Sequence, residues 1–266
     1  IDPNKLAIKC SGDLDQEHRG YLNQQRMLTD ETIEYFKLGQ ILDAGGKWLT
    51  IPIFNQKDEV EFIKRRVSPI EPKEGQPRYK IEHGKETQLF NSSVLNDKPD
   101  KLIICEGEFD CMLLHQAGLP AVTSTGGAGT FKDEWIDKMG NVRDFYIAFD
   151  KDEAGQRGQE NLTERLAERF PAASVHCIGF PGTDANDITD FLKENPSAAS
   201  LLLVDEGKAG CSTFIAGAKP IDTSEFQEMT IDDVAEVLSL EIVDDYQYKV
   251  LAFLTMLSIY TDEDQM

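Results

Sequence analysis

The spacing of hydrophobic residues changes character twice along this chain. Ile33, Phe36 and Leu38 form an apolar stripe behind Thr29, a good helix N-cap, and behind Asp30 and Glu31, which suit a first helical turn, until Gly39 interrupts the pattern. A short helical unit is predicted there. From Lys47 the period shortens to that of strands. Trp48-Leu49-Thr50-Ile51-Pro52-Ile53-Phe54 and Val60-Glu61-Phe62-Ile63, with the polar turn Asn55-Gln56-Lys57-Asp58 between them, predict a β-hairpin ending near Arg66. Residues 67–78, rich in Pro, Glu and Gly, predict a loop, and residues 79–90 a weakly extended stretch.

Beyond Lys101 strands and helices alternate. Apolar runs at 102–105, 121–123, 145–149 and 174–178 predict strands, and the segments 109–116, 130–138 and 153–169 predict helices. Such alternation implies an α/β fold, a mainly parallel sheet with helices on both faces, whose ligands bind at the carboxyl ends of the strands. Two further helical patterns, at 230–238 and 246–260, follow a Gly/Ala/Lys/Pro linker near 216–220, where a domain boundary is expected.

Composition narrows the class. A hydrophobic content of 40% with 28% charged residues suits a globular protein, and no window approaches the run of about 20 apolar residues that a membrane span needs. No membrane association is expected, and the default compartment is the cytoplasm. The five cysteines, Cys10, Cys105, Cys111, Cys177 and Cys211, contain no C-x-x-C pair, so reduced packing thiols are expected rather than a zinc site. The net charge of −21 runs against binding of nucleic acid, but residues 221–266 hold twelve acids against one base, Lys249, so more than half of the excess lies in that segment. The ends, Ile1-Asp2-Pro3 and Asp262-Glu263-Asp264-Gln265-Met266, suggest a fragment of a longer protein.

The candidate chemistry lies at two strand ends. Glu106-Gly107-Glu108-Phe109-Asp110 follows the strand at 102–105, and Asp150-Lys151-Asp152-Glu153-Ala154-Gly155 follows the strand at 145–149. In one parallel sheet these carboxylates converge on one edge. There they repel one another unless a hard divalent cation compensates them, and Mg²⁺, which keeps waters and accepts substrate phosphates, fits such a set.

Glu-Gly-x-x-Asp followed by Asp-x-Asp-x-Ala-Gly resembles the paired signatures of the Toprim family, shared by bacterial-type primases, topoisomerases and some nucleases. Thr125-Gly126-Gly127-Ala128-Gly129-Thr130 resembles the family's glycine-bearing turn, whose backbone amides would approach a phosphate or the metal shell. The surroundings resemble the primase branch. Tyr21-Leu22, Arg26, Leu28-Thr29, Glu31, Ile33, Phe36 and Leu38-Gly39 follow the order of the opening motif of the bacterial replicative primase polymerase domain. Pro77-Arg78-Tyr79 and Leu89-Phe90-Asn91 come next, and Gly182-Thr183-Asp184-Ala185-Asn186-Asp187 resembles a later acidic segment.

That resemblance implies a primase-like α+β subdomain over 1–100, a Toprim catalytic domain over 101–205, and a linker with a helical segment over 206–266, read as the start of a following helicase or ATPase domain. It implies RNA primer synthesis on a single-stranded DNA template from ribonucleoside triphosphates, with Mg²⁺ or Mn²⁺ as cofactor and a replicative helicase or fused ATPase domain as partner. Glu106, Asp150 and Asp152 would be catalytic; these three with Asp110 and Asp184 would hold the metal. Arg26, Lys64, Arg65, Arg66, Arg78, Tyr79, Lys80, Gly126 and Gly127 would contact nucleotide or nucleic acid. The chain departs from the family at Arg78, where a lysine is usual, and at Ala185-Asn186, where the acidic charge is lost or shifted to Asp187. A non-catalytic binding or docking module and a Toprim nuclease are the alternatives. The basic triplet at 64–66 is equally compatible with a solvated strand edge, and the glycine turn with a tight connection. His115 and His176 fall in apolar patterns and are expected in the core.

Overall fold

A computed structural model describes residues 2–72, 75–179, 185–194 and 212–215. The predicted linker and helices at 216–260, and Asp184, lie outside the described residues. Among those described, no helix is long and apolar enough to cross a membrane.

Three helices open the chain, each started by a side chain that accepts an otherwise unpaired amide. Asp2 caps α1 (Pro3–Gly12), Asp15 caps α2 (Gln16–Gln25) and Thr29 caps α3 (Asp30–Tyr35). The third is the helix expected from the sequence. The first two have weak apolar periodicity, burying chiefly Ala7 and Cys10 on α1 and His18 and Leu22 on α2.

The predicted hairpin forms the centre of a four-stranded antiparallel sheet, ordered β1 (Gly39–Asp43), β2 (Gly46–Phe54), β3 (Val60–Val67) and β4 (Tyr79–Lys80). Alternation sorts its two faces. Leu49, Ile51 and Ile53 on β2 and Phe62 on β3 enter the main core with Leu22, Ile33 and Phe36. Ile63 points the other way, into a small cluster with Ala7 and Cys10 of α1. The approach of α1 is close at Gly39, where a Cβ atom would stand 2.2 Å from the backbone carbon and oxygen of Cys10.

The second sheet has six strands, ordered β10 (Ser212–Ile215), β9 (Ser174–Cys177), β8 (Asp144–Ala148), β6 (Lys101–Cys105), β7 (Ala121–Ser124) and β5 (Leu89–Phe90). Its centre is the parallel set β6, β7, β8 and β9, at the predicted positions. Antiparallel strands close both edges: β5 beside β7 and β10 beside β9. The sheet therefore draws one strand from before residue 101 and one from after residue 205.

Helices cover both faces, as expected. Ile103, Cys105, Tyr146 and Ala148 join the core that includes α4 (Glu108–Gln116) and the N-terminal sheet. Leu102, Ile104, Phe145 and Ile147 face the other way, toward Leu162 and Leu166 of α6 (Glu153–Arg169). The helix predicted over 130–138 is instead broken into 3-10 turns at Ala128–Thr130 and Asp137–Met139 around the single turn of α5 (Asp133–Ile136). The Thr130 hydroxyl donates to the Gly127 carbonyl at 2.9 Å, and Phe131 and Lys132 are extended, so helix geometry cannot start before Asp133. A further short helix, α7 (Ile188–Glu194), packs near α4. His176 is buried in β9 against the Tyr146 ring, and His115 stacks on Tyr35, so neither points at the strand ends.

Placing a methyl group at Gly39 forces α1 away from β1. Gly39→Ala is expected to cost about 1–3 kcal/mol, the usual range for an overpacked contact, seen as a lower urea midpoint with an unchanged slope.

Candidate active site

The chain leaves β6 through α4 toward β7 on one side, and leaves β8 through α6 toward β9 on the other. Strands β6 and β8 are thus the neighbours at which the connections diverge, the position where open α/β sheets bind ligands beyond the carboxyl ends of their strands. Cys105 lies beside Ala148 in register, which places Glu106 and Asp150 together just past the last pair. Glu106 Oε2 accepts the Asp150 N–H at 3.2 Å.

Asp110 enters from the first turn of α4. It is 8% exposed, and its Oδ1 accepts the Thr189 hydroxyl at 2.6 Å and the Thr189 N–H at 3.2 Å. Asp187, just before α7, caps that helix by accepting the Asp190 N–H at 2.7 Å, and the neighbouring Asn186 carbonyl accepts the Lys151 N–H at 3.1 Å. These bonds carry the 185–189 stretch to the strand ends. Asp110, Asp150 and Asp187 each offer an oxygen, all within 4.8 Å of one another. Asp187 was not among the residues expected to hold metal. Its only sequence signal was the acidic charge displaced from position 186.

Asp152 lies differently from the other expected acids. It is exposed, and its carboxylate caps α6 by accepting the Gly155 N–H at 2.8 Å. Its charge still reaches Glu106 and Asp150. Gly155 is required at that turn because a Cβ there would meet the Asp150 carbonyl oxygen at 2.2 Å.

A cleft of about 540 Å³ opens over these acids, lined opposite them by Arg26, Lys64, Arg78 and Tyr79. The N-terminal sheet supplies most of this wall. Arg66 pairs with Tyr79 across β3 and β4, and Arg65 with Lys80, so alternation sends the two sets to opposite faces. Arg65 is therefore turned away from the cleft, where it pairs with Asp43 at 2.8 Å, and Lys80 lies over Trp48 on that same far face. Arg66 is buried beside the cleft: it donates to the Tyr21 hydroxyl at 2.8 Å, as Arg26 Nε does at 2.9 Å, and both guanidiniums lie over Phe109.

Gly126 and Gly127 line the cleft, but their amides point inward. Gly126 N–H donates to Ser124 Oγ and Gly127 N–H to the Ser124 carbonyl, each at 3.2 Å. Gly127 has φ +90°, which favours glycine, and a Cβ on Gly126 would crowd Thr130 and Thr87, so tight packing explains this turn. A Ser–His–Asp arrangement also occurs elsewhere, His18 linking Asp15 at 2.8 Å to Ser68 at 2.7 Å. Ser68 is wholly buried and its Oγ accepts the Ile70 and Glu71 amides, so it staples α2 to the following loop and offers no accessible nucleophile.

Electrostatics in the acid cluster follow from burial and like charge. Burial, then the charges of Glu106, Asp110, Asp187 and Asp152, push the Asp150 carboxyl up to about 7. Burial and Asp187 raise Asp110 to about 6 against the opposing pull of Thr189 and Arg26, and burial also raises Glu106. A divalent cation relieves what burial and repulsion impose, so the donor set fits Mg²⁺ or Mn²⁺. Without metal, the folded chain holds protons that the unfolded chain has already released above the ordinary aspartate value of 3.8. Stability then falls as pH rises from about 4 through about 7. Asp150→Asn removes that loss. In chelator, the variant is expected to exceed wild type by about 1–2 kcal/mol at pH 8, after solvent screening, with the gap closing toward pH 4. Melting curves across pH measure it.

Residues 103–192 match the Toprim-like family. A DNA primase of Clostridium acetobutylicum is 31% identical over 158 residues, 58% of this chain and 26% of that protein, so the chain spans about a quarter of this relative. A Mycoplasma genitalium protein described as "Uncharacterized protein MG010" is 25% identical over 201 residues, covering 70% of this chain and 90% of that one. The solved catalytic core of E. coli primase superposes with a TM-score of 0.59 at 18% identity, over 75% of this chain and 77% of that one. Residues 103–192 are a Toprim-like domain, and the chain has the fold of a bacterial primase catalytic core.

Proposed function

We propose that this chain is the catalytic core of a primase, joining ribonucleotides into short RNA primers on a single-stranded DNA template. The observation that carries the reading is one cleft with two opposed walls. Glu106, Asp110, Asp150 and Asp187 stand on one side, and Arg26 and Arg78 stand on the other.

The acids would hold Mg²⁺ or Mn²⁺, with Asp152 adding charge from the start of α6. A bound cation supplies positive charge for the phosphates and the departing pyrophosphate. The protein's own part is placement. Arg26 and Arg78 attract the triphosphate by charge, and a guanidinium can grip phosphate oxygens with two parallel donors. Tyr79 and Phe109 add aromatic surface to the lining of the same cleft. Asp150, once ionised, can accept the proton of an attacking 3′-hydroxyl. Attack forms the new P–O bond as the bond to pyrophosphate breaks. A replicative helicase or fused ATPase domain would deliver the unwound template.

Primer synthesis from ribonucleoside triphosphates on single-stranded DNA with Mg²⁺ tests this directly. Asp150→Ala and Glu106→Gln are each expected to reduce product by about 100-fold or more, and chelation to abolish it. Arg78→Ala is expected to raise the nucleotide KM by about tenfold, the loss of one charged phosphate contact. Equal product from wild type and both acid variants would reject the reading. Metal-dependent nicking of supercoiled DNA without primer synthesis would establish a nuclease instead.

A further inference from the structure

Lys64 sits where the two walls of the cleft meet. Lys64 is buried at 6% exposure, and its ammonium donates to Glu108 Oε1 at 2.5 Å and to the Thr125 carbonyl at 2.7 Å. The Tyr79 ring centre is 4.4 Å away. An ammonium has three N–H donors. Two are engaged by these oxygens, and the third has an aromatic face beside it.

The partners matter as much as the bonds. Glu108, 3% exposed, lies in the first turn of α4 between Glu106 and Asp110. Thr125 leads into the Gly126-Gly127 turn after β7. Tyr79 belongs to β4, beside the strand that carries Lys64. One cation on β3 therefore fastens the N-terminal sheet to the helix that carries the acids and to the turn facing them. A phosphate contact by Lys64 would draw the ammonium from Glu108. A buried carboxylate would then stand without its cation, two residues from both Glu106 and Asp110, and desolvation and like charge both oppose that state.

We infer that Lys64 is a positioning residue, paired with Glu108 to hold the acid wall in place, and that the triphosphate is gripped by the arginines opposite. The inference takes its substrate from the primase reading, but the placement of the acids can be measured without that substrate. Lys64→Met, Glu108→Met and the double variant would be compared with wild type by thermal melting, by calorimetric Mn²⁺ binding, and by kcat and nucleotide KM in primer synthesis.

Each single variant is expected to lower the Tm, weaken Mn²⁺ binding about tenfold and cut kcat about tenfold, with KM within about threefold of wild type. The double variant fills the same volume with no stranded charge, and is expected to recover the Tm and to return Mn²⁺ affinity and kcat to within about fivefold of wild type. If a single variant fails to fold, the double decides, because activity in a chain without the ammonium excludes Lys64 as the phosphate contact. Recovery of the Tm without recovery of kcat overturns the inference. So does a Lys64→Met variant unchanged in all three measurements, or one whose main change is a raised KM. A wild type that binds no Mn²⁺ overturns this inference and the metal site together. A wild type that binds Mn²⁺, loses affinity in the singles and regains it in the double, yet makes no primer, supports the positioning role and rejects the primase reading alone.

Discussion

Carboxylates brought together away from bulk water repel one another, and this chain accepts that repulsion at the ends of β6 and β8. The register that sets Cys105 beside Ala148 leaves Glu106 and Asp150 no room to diverge, since the acceptor of the Asp150 amide is Glu106 itself. The remaining acids are held by separate devices. Asp110 is fixed by Thr189, and Asp187 is fixed by the start of α7. Hydrogen bonds that fix a carboxylate ordinarily favour its charged form, so the upward shift at Asp110 reflects burial and the charge of Asp187 outweighing its bonds to Thr189, while at Asp150 burial and like charge act unopposed.

The opposing wall depends on a different constraint, the two-residue period of a strand. Of the basic run at 64–66, Lys64 and Arg66 face the acids, while Arg65 faces α1 and Asp43. The same period places Tyr79 in the cleft and Lys80 outside it. Even the residues that line the cleft differ. Lys64 is engaged by two oxygen partners, whereas Arg78 is exposed at the rim of the cleft.

Much of this was legible in the residues. Apolar runs of four or five residues, each followed by an acidic turn at β6 and β8, located those strands and the convergence of Glu106 with Asp150. The glycine in Asp-x-Asp-x-Ala-Gly has a local cause, since Gly155 packs on the Asp150 carbonyl. What was not legible depends on tertiary contact. The helices α1 and α2 are polar along most of their length, and only docking onto the first sheet buries them. Asp187 reaches the acid cluster through hydrogen bonds between segments far apart in sequence, Lys151 to Asn186 and Thr189 to Asp110, and periodicity carries no trace of those. Gly126 and Gly127 looked able to offer amides outward, but Ser124 takes both. The sidedness of Arg65 and Lys80 could have been read from alternation once β3 was paired with β4, yet β4 is only two residues long and gave no register of its own.

The Tyr21 hydroxyl accepts from Arg26 and from Arg66, so both of its lone pairs are in use. Two cations that belong to different elements, one at the end of α2 and one on β3, thereby share a single oxygen as their anchor. Energetically they form one unit, and changes at either arginine would not sum. Evolution could therefore retune the reach of this wall through a phenol that carries no charge and makes no demand on the sign of the substrate.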